Sequence, residues 1–396
     1  MANPIYFDPR TLLKQLAIPL VQRLFEQRGE LLDLPWSELR QKKQTAPIYA
    51  AWQRLPEDRR REIQIVFHEI AEAATELGIA AFAQEVKHAA PGDVWKFTAC
   101  RSRLNKALWF YLSFPERFER ATLFARADSL TTGRFAIRRD DLPRTPLNVT
   151  PEVLTALGEA LRGFYWPTQM RGHHCHVEHH RRHDGDDYFF AYLDDWPDKR
   201  LAFGDNGKLR IHSARFAFSV LFVFSPSDGS LELVANGGES IHFPLQQAFC
   251  RSVLGIDIAP ANPERPVYRL QQVLDPAFNY PTAAEDRICR VQLKSIRWKP
   301  AGEIKQLRAT VQEFESTICR SEWLELVQRF LAGLGLAPTQ AVVEGATFRL
   351  TLLRGGRSRV LEFTIALPSR CTVRTKSDEL LAIGKRCLAQ WGMINA

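Results

Sequence analysis

Four turn dipeptides, Asp184-Gly185, Asn206-Gly207, Asp228-Gly229 and Asn236-Gly237, punctuate the stretch between residues 184 and 237. Between and around them lie short aromatic and β-branched runs at 188–193, 201–203, 209–212, 216–224 and 231–235. Two-residue turns of this kind match the twist of the strands they join, so each closes an antiparallel hairpin. A meander of about five or six strands is the expected product. The stretch 244–254 reads as a helix packed on one face of it.

The flanking segments follow other periods. Over 56–78, Ile63, Val66, Phe67, Ile70, Ala73, Ala74 and Leu77 keep the three-and-four spacing of an amphipathic helix. Gly78 reads as its break, before a shorter helix through Lys87. Further helices are expected near 9–28, 102–113, 115–127 and 151–164, and 133–139 as one extended stretch. Beyond 285, strands are expected at 290–298, 347–353 and 360–365, with helices over 303–333 and 377–391. The fold class is therefore α+β: a helical N-terminal region, an antiparallel β-meander and a small β-α-β-β-α layer. The corresponding domains are 1–168, 169–285 and 286–396.

Charge is distributed unevenly over these three. The net +8 divides as about +4 over 1–170, −4 over 171–285 and +8 over 286–396. A basic terminal segment favours an acidic partner, and DNA or RNA is the expectation. The seven cysteines are scattered and never spaced as CxxC, which points to reduced thiols in a cytoplasmic setting. The first six residues carry no basic stretch with an apolar core, and no apolar run is long enough to span a membrane.

Six of the ten histidines, His173, His174, His176, His179, His180 and His183, fall within eleven residues. Read as the strand before Asp184-Gly185, they divide by alternation. His174, His176, Glu178 and His180 share one face and form a candidate site for zinc or another divalent transition metal. Asp186, Asp187, Asp194, Asp195 and Asp198 are near enough in sequence to support it. The alternative is an exposed hairpin whose histidines pair with those carboxylates. Other signatures are incomplete: His68-Glu69 lacks the second histidine of a zinc-protease helix, and Glu85 and His88 are half of a di-iron pair.

The basic segment offers the second candidate. Arg354, Arg357 and Arg359 surround Gly355-Gly356, and Arg370, Arg374 and Lys376 lead into the last helix. Guanidinium groups bind phosphate in bidentate fashion, so these six form a candidate nucleic-acid contact if their loops share one end of the layer. The expected function is a cytoplasmic nucleic-acid-associated or regulatory scaffold protein, with the N-terminal helices open to a protein partner. A metal-dependent hydrolase centred on 173–183 is the alternative, and no motif decides between enzyme and binding protein.

Overall fold

The computed structural model describes residues 8–394 apart from 134, 205–206, 261–266, 276–277, 301–311, 316–327, 330–331, 334, 336–340, 355–356 and 377. Its contacts group the chain into two compact units, Met1–Ser129 with Thr375–Ser377, and Leu130–Arg374 with Asp378–Ala396. No described helix is long and apolar enough to cross a membrane.

The first unit is helical: α1 Pro9–Gln15, α2 Ile18–Gln27, α3 Trp36–Lys42, α4 Ala46–Gln53, α5 Glu57–Ala73, α6 Glu76–Ala89, α7 Val94–Ala99 and α8 Arg103–Ser113, followed by α9 Pro115–Thr131. The apolar stripe of α5 buries Ile63, Val66, Phe67 and Ile70 in one core with Phe25, Phe82 and Phe110. The expected break at Gly78 lies earlier, at Ala74. Thr75 caps α6 by accepting the Gly78 amide at 3.0 Å, which starts the new helix before the glycine. Gly78 has its own steric reason: a Cβ there would meet the Ala73 carbonyl oxygen at 1.9 Å. Glu85, one half of the incomplete di-iron pair, is buried. Arg117 and Arg120 reach its carboxylate at 3.1 and 3.4 Å and compensate the charge.

The second unit holds two antiparallel five-stranded sheets. The first contains β1 Ala136–Arg139, β2 Cys175–Arg181, β3 Asp187–Phe203, β4 Leu209–Ser225 and β5 Ser230–Val234, in the order β1-β5-β4-β3-β2. The runs read separately as 188–193 and 201–203 are one strand, as are 209–212 and 216–224. β3 and β4 stay paired from Asp187↔Phe224 to Phe203↔Leu209, with a register shift between Asp194 and Pro197, where proline has no N–H to give the ladder. Helices α10 Pro151–Gln169 and α11 Glu239–Phe249 cover one face, where Leu157, Leu161 and Phe249 meet Phe189, Phe222 and Phe224.

The second sheet contains β6 Ile288–Pro300, β7 Gln312–Glu315, β8 Ala341–Arg354, β9 Arg357–Ala366 and β10 Arg370–Cys371, in the order β10-β9-β8-β6-β7. Most of the helix expected over 303–333 lies outside the described residues. The piece Gln312–Glu315 is a strand instead, because it pairs with the end of β6 from Ser295 to Trp298 and so satisfies backbone groups there. The last helix, α12 Asp378–Gln390, packs Leu380, Ile383 and Cys387 into a core with Phe348, Leu361 and Phe363.

The β4–β5 turn depends on glycine. Gly229 has φ +66°, and a Cβ there would meet the Leu142 carbonyl oxygen at 2.2 Å. Gly229→Ala is expected to destabilise the protein by about 2 kcal/mol or more, since left-handed strain and a backbone clash combine. Gly185→Ala has open space around its Cβ and is expected to cost only the backbone strain, about 1 kcal/mol. Equilibrium chemical denaturation of both variants checks the difference.

Candidate functional site

The β2–β3 register brings the histidine-rich strand against aromatic partners. His179 lies opposite Phe189, Glu178 opposite Phe190 and His176 opposite Tyr192. Cys175 and Val177 pack toward the helix-covered core, while His176, Glu178 and His180 occupy the opposite strand face. Glu178 lies between the last two, 3.5 Å from the His176 Nε2 and 3.6 Å from the His180 Nε2. His174 turns elsewhere. Its backbone N–H donates to the Asp194 carboxylate at 2.6 Å, and its ring nitrogen is 3.8 Å from that group.

Among the described residues, no three His, Cys, Asp or Glu side chains are gathered as a metal ion would require. Zinc ligands converge to about 2 Å from one point, and the His176 and His180 imidazoles approach Glu178 only to 3.5 and 3.6 Å. His176 and His180 instead flank the Glu178 carboxylate along an edge strand, and His174, just before it, lies near Asp194. The metal site expected at His174, His176, Glu178 and His180 is thus not found among the described residues.

The other strand face holds a tighter arrangement. Asp187 is fully buried, and its carboxylate accepts from Arg181 Nε at 2.8 Å and lies 2.8 Å from the His179 Nε2. Arg181 also donates to the Leu147 carbonyl at 2.9 Å. Burial works to raise the Asp187 pKa, but the contacts from His179 and Arg181 prevail and hold it below the usual carboxylate value. A cavity of about 270 Å³, lined in part by Arg181, Asp184 and Ser227, adjoins this cluster. The hairpin register carried a readable signal for the pair, since a turn at Asp184-Gly185 sets Arg181 opposite Asp187.

Four of the described cysteines are set against nucleophilic chemistry by burial. Burial pushes the thiols of Cys175 and Cys371 up to about 11, and those of Cys250 and Cys387 up to about 12. Each stays protonated at neutral pH.

The strand register places Arg370 away from the other residues expected at the β8–β9 turn. Arg354 and Arg357 face each other across the β8–β9 turn, with side chains outside the described residues, as is that of Arg374. Arg370 pairs with Ala366 at the opposite end of β9, about 30 Å along the strand. Arg359 is exposed near the turn and 3.4 Å from Glu379 at the start of α12, and Lys376 is half-buried.

A third cluster escaped the sequence reading. Past the covered part of the first sheet, β3 and β4 continue as a two-stranded ribbon whose side chains are mostly exposed. Leu201↔Ile211 and Phe203↔Leu209 are partners, so these four share one face, each between 55% and 75% exposed. Arg200↔His212 and Ala202↔Arg210 set Arg200, Arg210 and His212 on the other. Arg200 lies 3.7 Å over the Phe216 ring and pairs with Asp198 at 2.8 Å. Alternation across Asn206-Gly207 was the available signal. No protein-family model matches the chain, and no curated protein matches it in sequence.

Asp187→Asn is expected to cost about 3 kcal/mol of unfolding free energy, because it removes the anion between Arg181 and His179. Acid sensitivity follows from the lowered pKa. Asp187 contributes its full stability above the ordinary value of 3.8 and loses it as the pH falls through the lower folded value. Denaturant titrations from pH 7 down to pH 3 should show wild type losing its advantage over the variant on acidification.

Proposed function

We propose that the protein is a cytoplasmic, nucleic-acid-associated regulatory component that holds phosphate backbone with the β3–β4 ribbon and with the basic C-terminal segment. The ribbon carries this reading. Residues 196–217 hold five basic and two acidic side chains, a net +3 inside a segment whose total is −4. One ribbon face offers Arg200, Arg210 and His212, and the other offers four exposed apolar side chains. A two-stranded ribbon fits the major groove of a duplex, about 12 Å wide. Cations grip phosphate while apolar side chains contact sugars or base edges. Arg354, Arg357 and Arg359 at the β8–β9 turn supply a second phosphate contact. Arg370 stands apart from it.

Fluorescence anisotropy with a labelled duplex DNA and a single-stranded RNA tests the proposal. Affinity should fall with salt at a log–log slope of about −0.9 per duplex phosphate contacted, so four contacts give about −3.6. Reversing Arg200 and Arg210 to glutamate should flatten the slope by about 2 and weaken binding across unrelated sequences. Leu201→Ser with Ile211→Ser should weaken binding while leaving the slope unchanged. Absence of binding at low salt, or binding indifferent to the arginine reversal, would overturn the ribbon as the contact.

A further inference from the structure

The second unit contains a cavity of about 420 Å³ that plays no part in the phosphate-backbone reading above. Sites for small organic ligands span about 300–1,000 Å³. Its walls come from distant stretches: the end of β1 and the loop after it, the β4–β5 turn, the segment around Tyr268, Val373 and α12. No single window of sequence contains it.

The lining divides by chemistry. Val267, Val373, Leu388 and Ile394 supply an apolar part. Arg138, Arg144, Lys385 and Arg386 bring four cations, against the carboxylates of Asp140 and Asp228. Two of the cations are fixed by the fold. Arg138, 13% exposed, reaches Asp228 at 3.0 Å and Glu232 at 3.8 Å, and its backbone N–H donates to Ser369 at 2.9 Å. Arg386 is paired with the buried Asp286. Arg144 is exposed beside them and forms no ion pair among the described residues. Tyr268, 4% exposed, sets its hydroxyl against Arg138 and the Cys371 thiol. Burial pushes its pKa well up, so it acts as a neutral hydrogen-bonding group.

A few convergent polar groups beside an apolar wall are what orient a small ligand. Guanidinium and ammonium groups together favour a multiply charged oxyanion over a single carboxylate. We propose that this cavity binds a small organic phosphate, with its apolar body against Val373, Leu388 and Ile394 and its phosphate at Arg144 and Lys385. The residues are distinct from those of the ribbon, so either proposal can fail without the other.

Isothermal titration calorimetry on the full chain tests it with three probes: phenyl phosphate, benzoate and inorganic phosphate. Phenyl phosphate should bind saturably, at least tenfold tighter than either of the others, because only it fills both parts of the site. Arg144→Glu should weaken it at least tenfold, and the exposed position makes the change harmless to folding. Ala389→Trp, from an exposed position of α12 that lines the cavity, should abolish binding by filling the space. Thermal melts of both variants establish that they fold. Phenyl phosphate binding no tighter than inorganic phosphate or benzoate, or binding indifferent to both substitutions in folded protein, would overturn the proposal.

Discussion

The pairing of β3 with β4 is the interaction on which the first sheet of the second unit depends. Its inner half is covered by α10 and α11, and Phe189, Phe222 and Phe224 are fully buried there. Burying such a side chain contributes about 1.5–3 kcal/mol, before the conformational cost of ordering it. The outer half gains none of this. A two-stranded hairpin is marginal alone, so the ribbon from Pro197↔Arg215 outward is held by its ladder, by Arg200 over Phe216, and by continuity with the buried half. A surface of exposed Leu201, Phe203, Leu209 and Ile211 can thus be kept in order without a core of its own.

A second theme is the buried carboxylate held by arginine. Glu85 meets Arg117 and Arg120, Asp187 meets Arg181, Glu232 meets Arg138, and Asp286 meets Arg386. Removing either member of such a pair leaves an uncompensated charge in a low-dielectric setting, so each pair fixes local geometry more than it adds net stability. The histidine cluster works by the same logic at weaker strength. His176 and His180 flank Glu178, His174 approaches Asp194, and His179 completes the Asp187 pair. An edge strand dense in such charges also resists pairing with another chain.

Local signals were legible in the sequence where one physical cause acted alone. Helical spacing located α5, α8 and α12, turn dipeptides located the β2–β3, β3–β4 and β4–β5 hairpins, and alternation separated Cys175 and Val177 from His176, Glu178 and His180. Periodicity carries this information because it records which face of an element is buried. The sequence by itself therefore determined the α+β class, the antiparallel pairing and the shared face of His176, Glu178 and His180. Tertiary structure decided the rest, because it depended on distances between segments. Packing placed Glu178 between the His176 and His180 imidazoles and sent His174 to Asp194, and the length of β9 separated Arg370 from Arg357. Burial of Glu85 required Arg117 and Arg120 from another helix, and the cavity at Arg138 and Tyr268 required five distant stretches to meet. Spacing along a chain fixes which way a side chain faces, but packing alone fixes what it meets.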